Sequence, residues 1–217
     1  MEAWQKLIRV LTHEIMNSIT PIISLSETLS ERGIPESLGE KEYSAMLQAM
    51  QTIHRRSKGL LGFVENYRRL TRIPIPVRTK VSVAELFMDL KKLFPEEYIH
   101  FEMPASDLFL YVDRAQIEQV LINLLKNARE TCERRTDTNI EINFFSKGNP
   151  SFTISDNGEG ILPDVLDKIF VPFFTTKTSS SGIGLSLCKQ IMTLHDGSIN
   201  VKSEIGKGSC FILTFPK

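Results

Sequence analysis

A cluster of polar residues near the N-terminus has the types and the spacing for nucleophilic chemistry. His13 and Glu14 are adjacent in RVLTHEIMNSITPI, and Asn17 and Thr20 follow at four and seven residues, on the face that His13 would take in a helix. A neutral imidazole is a nucleophile and a carboxylate accepts its proton, so this pair suits transfer of a group onto the ring. Pro21 lies in the same segment and costs a helix interior roughly 3 kcal/mol, which indicates that the local geometry matters.

A second polar pair lies in the otherwise apolar segment QVLINLLKNARET. Asn123 and Asn127 are four residues apart, so in a helix they share one face. An amide oxygen suits a hard cation such as Mg²⁺. Hydrogen bonds from both asparagines to neighbouring backbone explain this pattern equally well.

The segment SDNGEGI combines a carboxylate with two glycines. Asp156 ends a predicted strand, and Gly158 and Gly160 allow the backbone to approach a ligand closely. An ionised carboxylate only accepts hydrogen bonds, so it suits an amino group such as that of adenine. A tight turn without any ligand is the alternative for this motif.

Two further glycine pairs suit phosphate groups or turns. In SSSGIGLSL, Gly182 and Gly184 open a helix whose first N–H groups and dipole favour an anion, and Lys177 in FFTTKT is close enough along the chain to reach the same phosphates. In EIGKGSCFILTFP, Gly206 and Gly208 form a turn between two predicted strands. A plain hairpin without any ligand is the alternative for this pair.

The elements that must position these residues begin with two long helices. Apolar residues recur at steps of three and four, and the segment RGIPESLGE supplies a turn between the helices. Because each helix of such a hairpin buries only one stripe, we expect two copies to form a four-helix bundle in a homodimer, with pairing against the rest of the same chain as the alternative. The two stripes are Trp4, Ile8, Leu11, Ile15, Ile19, Ile22 and Leu29, then Met46, Met50, Ile53, Ser57, Leu60, Val64, Tyr67 and Thr71.

The segment RIPIPVRTK marks a boundary, because its two prolines stop a helix. Beyond it the pattern mixes strands and helices and predicts an α+β layer sandwich, with an irregular stretch of roughly 25 residues that is typical of a functional lid. We therefore divide the chain into residues 1–76 and 77–217. The predicted helices are VAELFMDLKKLF, residues 114–134 and IGLSLCKQIMTLH, and the predicted strands are IHFEM, LFLYV, NIEINFF, SFTISD, SINVKSE and CFILTFP.

Composition excludes several classes of protein. The 217 residues include 26 Lys and Arg and 26 Asp and Glu, so no basic excess indicates nucleic acid or an anionic membrane. The three cysteines lack the spacing of a disulfide framework or a zinc site. No apolar run approaches the ~18–20 residues of a membrane span. We expect a protein of a reducing compartment such as the cytoplasm.

The order of the motifs carries more information than any one of them. An asparagine-rich helix, then D-x-G-x-G, FVPFFTTK, G-x-G-L and G-x-G-S together resemble the ATP-binding domain of sensor histidine kinases, within the superfamily shared with type II topoisomerases, heat-shock chaperones and mismatch-repair ATPases. The segment HEIMNSITPI resembles the phosphoacceptor-histidine box of the same kinases. The resemblance covers essentially the whole chain.

The resemblance implies the catalytic core of a cytoplasmic protein-histidine kinase, free or as the cytoplasmic part of a membrane-bound sensor. His13 would attack the γ-phosphate of ATP through Nε2, Glu14 would accept or orient the ring proton, and Asn17 would orient water to dephosphorylate a response regulator. The implied partners are a second copy of the chain and a response regulator receiver domain, without nucleic acid or membrane contact. The implied ATP-binding residues are Asn123, Asn127, Asp156, Gly158, Gly160, Phe170, Thr176, Lys177, Gly182, Gly184, Leu185 and Ser209, with Asn127 as the Mg²⁺ ligand.

Two alternatives remain beside the kinase. A superfamily ATPase would carry a glutamate base at the position of Asn123, whereas an amide takes no proton near neutral pH; Glu118 and Glu130 are interpreted as lying elsewhere on the helix. A nucleotide-binding pseudokinase is the other alternative, because residues 178–181 replace a glycine pair that many relatives have. We interpret the other histidines, His54, His100 and His195, as structural.

Overall fold

A computed structural model describes residues 2–31, 39–104, 107–177 and 182–217, without the side chains of residues 2–11, 13, 14, 30, 31 and 69. The chain divides into two compact units, Met1–Thr71 and Arg72–Lys217. Within the described residues, no helix combines the length and the apolar character that a membrane span requires.

The first unit is a pair of helices, α1 (Glu2–Glu31) and α2 (Glu40–Thr71), that pack on each other. Pro21 lies inside α1, as the sequence predicts. Most of the predicted turn, residues 32–38, lies outside the described residues. The described part of the predicted α1 stripe, Ile15, Ile19, Ile22 and Leu29, is half-buried.

The predicted seam of α2 separates into two rows in the single chain. Positions seven residues apart from Met46 to Tyr67 are half-buried, whereas the alternate positions from Met50 to Thr71 are exposed. Two rows of one heptad point in different directions, so the packing of α1 covers only one of them. The half-buried row is Met46, Ile53, Leu60 and Tyr67, and the exposed row is Met50, Ser57, Val64 and Thr71.

The second unit is built on a five-stranded sheet of order β2-β4-β5-β7-β6, in which only β2 and β4 are parallel. Strands β1 and β3 form a separate antiparallel pair. Strand β1 and the short α5 were not predicted from the sequence, and α4 ends three residues before its predicted end. The elements are β1 (Thr79–Ser82), α3 (Val83–Leu93), β2 (Ile99–Phe101), β3 (Phe109–Val112), α4 (Arg114–Thr131), β4 (Ile140–Phe145), β5 (Ser151–Asp156), α5 (Pro163–Leu166), α6 (Gly184–Leu194), β6 (Ser198–Glu204) and β7 (Gly208–Thr214).

The core of this unit lies between one face of the sheet and the helices α3, α4 and α6. Alternate residues of β5 are buried on that face, with Asp156 as the last of them. Phe152 contacts Phe87 of α3, with ring centroids 5.9 Å apart, and Phe215 after β7, with centroids 6.0 Å apart. The helices α4 and α6 also pack on each other, so the end of β5 lies beneath a helical layer.

Candidate functional site

The carboxylate of Asp156 lies at the end of β5 and is the buried acid of the site, with 9% of the residue exposed. Its Oδ1 accepts from the backbone N–H groups of Gly158 at 2.9 Å and Ser209 at 3.3 Å, and from Thr131 Oγ1 at 3.4 Å. Among the described residues, no donor reaches Oδ2. Burial raises the pKa of this carboxyl, and the N–H donors and the Lys177 charge partly offset that effect.

The D-x-G-x-G loop is held against the β6–β7 hairpin. The N–H of Ile161 donates to Ser203 Oγ at 2.8 Å, and the N–H of Gly206 donates to the carbonyl of Glu159 at 2.9 Å. Gly160 lies against the backbone of Glu204. The last glycine pair therefore lies in a hairpin between β6 and β7, and this hairpin also fixes the loop that follows Asp156.

Gly158 has a structural reason to lack a side chain. A Cβ at this position would lie 2.7 Å from Thr131 Oγ1 and 2.8 Å from Asp156 Oδ1. Those distances are shorter than van der Waals contact, so a side chain would separate the loop from α4. The glycine is thus explained by an approach of protein atoms, with or without a ligand.

The helix α4 presents Asn123, Asn127 and Glu130 on one face, at steps of four and three residues. Asn123 is half-buried, and its Nδ2 contacts Cys188 Sγ of α6 at 3.8 Å. Burial raises the pKa of the Cys188 thiol to about 12, although the Asn123 amide opposes the shift. Asn127 is half-buried, and no hydrogen bond to its amide is present among the described residues.

Lys177 pairs with the last turn of α4. Its Nζ donates to Glu130 Oε2 at 2.8 Å, and its backbone N–H donates to Thr175 Oγ1 at 3.0 Å. Glu130 lies seven residues after Asn123, about two turns along the helix, so it does not stand at the position of a hydrolase base, but its ion pair joins Lys177 to the helix that carries Asn123 and Asn127. Glu130 therefore belongs to the site.

The loop between Phe173 and Gly182 is closed at its base. The N–H of Phe173 donates to the carbonyl of Gly182 at 2.9 Å, and Phe173 has a positive φ of 64°. Gly182 has a φ of +66°, and a Cβ there would lie 2.6 Å from the carbonyl carbon of Phe173. Helix α6 begins at Gly184 without a side-chain cap, and a Cβ on Gly184 would meet no atom within 4 Å. Among the described residues, no atom therefore crowds the side-chain position of Gly184 at the start of α6.

Three further predicted residues are Phe170, Thr176 and Leu185. Phe170 lies under Lys189, whose Nζ is 5.5 Å from the ring centroid, beside a cavity of about 400 Å³ whose lining does not include Asp156. Thr176 is exposed and Leu185 is half-buried. Residues 178–181, on which the pseudokinase alternative rests, lie outside the described residues.

The predicted phosphoacceptor region lies in α1. His13 and Glu14 belong to the helix, but their side chains lie outside those described, whereas Asn17 and Thr20 are exposed. His195 is 1% exposed and bonded at both ring nitrogens, consistent with its structural interpretation. His54 and His100 are exposed.

Two residues of the site, Thr131 and Glu130, were not predicted from the sequence. Thr131 joins the end of α4 to Asp156, and Glu130 holds Lys177. Both follow Asn127 by one helical turn, so the periodicity of α4 was the signal that could have found Glu130. For Thr131, only the packing of α4 on β5 brings it to the carboxylate.

The donors and acceptors of this region fit a magnesium nucleotide. Asp156 Oδ2 is available to an amino group, and the Asn127 amide, without a partner among the described residues, suits Mg²⁺. Lys177 and the uncapped start of α6 provide positive charge and N–H donors for phosphate oxygens.

Residues 112–217 match the family of histidine kinase-, DNA gyrase B-, and HSP90-like ATPases. The chain is similar to the NtrY-like sensor histidine kinase of Rickettsia conorii, with 30% identity over 98% of this chain and 36% of the relative. It thus spans about a third of the length of the curated relatives that it matches.

Solved structures of histidine kinases have the same fold. The nucleotide-free catalytic domain of ThkA is 34% identical to this chain and has a TM-score of 0.57. The alignment covers 64% of this chain and 95% of the ThkA domain. ThkA in complex with the response regulator TrrA is 26% identical over 98% of this chain and 61% of ThkA, with a TM-score of 0.63. The chain therefore belongs to the sensor histidine kinase family, and its second unit carries the ATP-binding domain of that family.

Proposed function

We propose that this chain binds ATP with Mg²⁺, transfers the γ-phosphoryl group to His13 and passes it to an aspartate of a response regulator. The observation that carries the proposal is the convergence of the Asp156 carboxylate, the Asn127 amide and Lys177 at the ends of β5 and α4. Residues 1–76 would serve dimerisation and phosphotransfer, and residues 77–217 would bind the nucleotide.

The acceptor at the end of β5 favours adenine over guanine. Asp156 would accept the adenine amino group at Oδ2, whereas guanine offers a carbonyl there and would set two acceptors against each other. The hydrogen bonds to Oδ1 from Gly158 and Ser209 fix the carboxylate for this contact. Asn127 would hold the metal ion, and Lys177 and the start of α6 would orient the phosphates.

The transfer would form a bond between phosphorus and Nε2 of His13, and the bond to the β-phosphate oxygen would break to release ADP. Glu14 would accept or orient the proton of the ring. Mg²⁺, when bound, neutralises charge that develops on the phosphates. Asn17, exposed on α1, would orient water when the same surface dephosphorylates the regulator.

A kinase is favoured over an ATP hydrolase by the groups on α4. Asn123 is an amide that contacts Cys188, and it cannot accept a proton from water. The carboxylate that shares its face, Glu130, lies seven residues further along α4, about two helical turns from Asn123. No carboxylate of α4 therefore occupies the position of a hydrolase base, so the attacking group must come from elsewhere.

The homodimer is supported by the exposed row of α2. Met50 and Val64 are 54% and 41% exposed in the single chain, at positions where a heptad pattern requires burial. A second copy would cover this row and complete a four-helix bundle. The complex between ThkA and TrrA supports a response regulator as the further partner, and a cytoplasmic location follows from that role.

The experiment is incubation of the chain with γ-labelled ATP and Mg²⁺, beside a His13→Gln variant and the matched control His54→Gln. We expect acid-labile label in the wild type and the control and none in His13→Gln. Label that survives in His13→Gln would show that a residue other than His13 accepts the phosphoryl group. Binding of ATP without any label in the wild type would support the pseudokinase instead.

A further inference from the structure

Glu130 is a charged residue of the site to which the proposed reaction assigns no role. Its carboxylate lies one turn beyond Asn127, and its Oε2 accepts from Lys177 Nζ at 2.8 Å. The side chains of Lys177 and Glu130 are 36% and 49% exposed, so solvent reaches the pair. An ion pair of this exposure is weak and can exchange partners at little cost.

A triphosphate bound at the start of α6 would compete for the same ammonium group. Phosphate oxygens carry more negative charge than one carboxylate and form charge-assisted hydrogen bonds with lysine. The Lys177 ammonium has three N–H donors and can contact both acceptors, but the two anions then share one positive charge, and movement toward the phosphates lengthens the bond to Glu130. The carboxylate left behind would then repel the phosphates nearby.

We propose that Glu130 is an internal competitor of the nucleotide phosphates, which holds Lys177 beside Asn127 when no phosphate is bound and weakens the retention of ATP and ADP. This inference rests on the proposed function, because it requires a nucleotide at the site. It makes Glu130 a specificity-determining residue that limits affinity for phosphates and promotes release of ADP.

The backbone of Lys177 supports such an exchange. Thr175 accepts from the Lys177 N–H at 3.0 Å, and the base of the loop is closed by the bond between Phe173 and Gly182. The peptide of Lys177 is therefore fixed locally, and only the rotatable side chain has to move from carboxylate to phosphate. The competition needs no rearrangement of α4.

The test measures nucleotide affinity by calorimetry at low salt and constant Mg²⁺ for Glu130→Gln and for the control Glu133→Gln. Glu133 is exposed just beyond α4. The substitution Glu133→Gln therefore removes the same charge without affecting the ion pair of Lys177. We expect Glu130→Gln to bind ATP and ADP roughly two- to fivefold more tightly and AMP with unchanged affinity, and Glu133→Gln to have a smaller effect. In a Lys177→Met background, Glu130→Gln should lose most of its effect.

A second readout does not depend on nucleotide. In the nucleotide-free chain, acetylation of Lys177 followed by mass spectrometry should be faster in Glu130→Gln than in the wild type, because the pair no longer covers the amine. If Lys177 is labelled faster in Glu130→Gln but the wild type binds no nucleotide, the proposed function is rejected, although the ion pair between Lys177 and Glu130 is supported.

Three results overturn the inference while the proposed function stands. Weaker binding of ATP by Glu130→Gln would make Glu130 a ligand of the metal or a support of the site. Equal effects of Glu130→Gln and Glu133→Gln would mean that Glu130 acts only through its negative charge, which repels the nucleotide as any nearby carboxylate would. Unchanged labelling of Lys177 would mean that the pair does not persist in solution.

Discussion

The backbone N–H of Asp113 donates to Nε2 of His195 across 3.0 Å and so joins the start of α4 to the end of α6. The other ring nitrogen, Nδ1, is 2.8 Å from the carbonyl of Ile191, so Nδ1 carries the proton and Nε2 accepts. The opposite ends of these two helices carry Asn127 and Gly184. One buried ring therefore fixes the spacing of two helices that contribute to the nucleotide site.

Replacing this ring should destabilise the fold and the site together. His195→Ala removes a side chain that is 1% exposed and leaves the part-buried N–H of Asp113 without its acceptor. We expect the free energy of unfolding to fall by about 2–4 kcal/mol in urea denaturation and ATP affinity to fall as well. The exposed His100 on β2 provides the control, and a similar loss in His100→Ala would contradict this explanation.

The ionised carboxylate of Asp156 should lower the free energy of unfolding of the nucleotide-free protein. Burial raises the pKa of its carboxyl above the ordinary 3.8, so the folded state binds this proton more tightly than the unfolded state. Stability therefore falls as the pH rises from about 3.8 through the raised pKa, and the cost is complete above it.

Asp156→Asn keeps one acceptor oxygen and removes the charge. We expect a higher unfolding temperature than the wild type at neutral pH, no difference below the ordinary aspartate pKa, and ATP binding weaker by about tenfold. Thermal unfolding across a pH series measures the two differences in stability, and calorimetry measures the affinity for ATP. A variant that is less stable at neutral pH would contradict the assignment of the buried charge.

Gly182 should not tolerate a side chain. A Cβ at its φ of +66° would lie 2.6 Å from the carbonyl carbon of Phe173, so Gly182→Ala must open the base of the loop. We expect a loss of about 1–3 kcal/mol in the free energy of unfolding, and weaker ATP binding.

The matched control for that substitution lies in α2. Gly59 has no atom within 4 Å of a Cβ and lies inside a helix, so Gly59→Ala should stabilise the protein by roughly 0.5–1 kcal/mol. Equal effects of the two alanines in urea denaturation would show that the closed base of the loop is unimportant.

Pro21 should set the stiffness of α1 around the predicted phosphoacceptor. It lies inside the helix and removes a backbone hydrogen bond, so Pro21→Ala should raise the unfolding temperature of the helical unit. We also expect the ratio of autophosphorylation to response regulator dephosphorylation to change. Unchanged rates of both reactions in a stabilised variant would discard the functional part of this prediction.

The exposed row of α2 should mediate dimerisation. Val64→Glu places a charge on that row, so sedimentation should detect monomer where the wild type is a dimer. Gln48 is exposed and lies on the opposite side of the helix from that row, and Gln48→Glu should leave the dimer intact. Monomeric wild-type protein would contradict the four-helix bundle at once.

The strands and helices that carry the motifs could be predicted, because their patterns are local. Steps of three and four residues specify α1, α2 and α4, and the alternation of buried residues specifies β5. The strand β1 was missed because four residues with one buried side chain give no periodicity. The short α5 was missed because a single turn has no repeat to detect.

The sequence by itself therefore determined which residues could bind a nucleotide and the order in which they occur. Only the tertiary structure decided which of them pair: Lys177 with Glu130, 47 residues apart, and Asp113 with His195, 82 residues apart. Local periodicity assigns a residue to a face of its own element, but the partner across space depends on how α4, α6 and β5 pack. Burial of their apolar faces fixes that packing, and the polar contacts of the site follow from it.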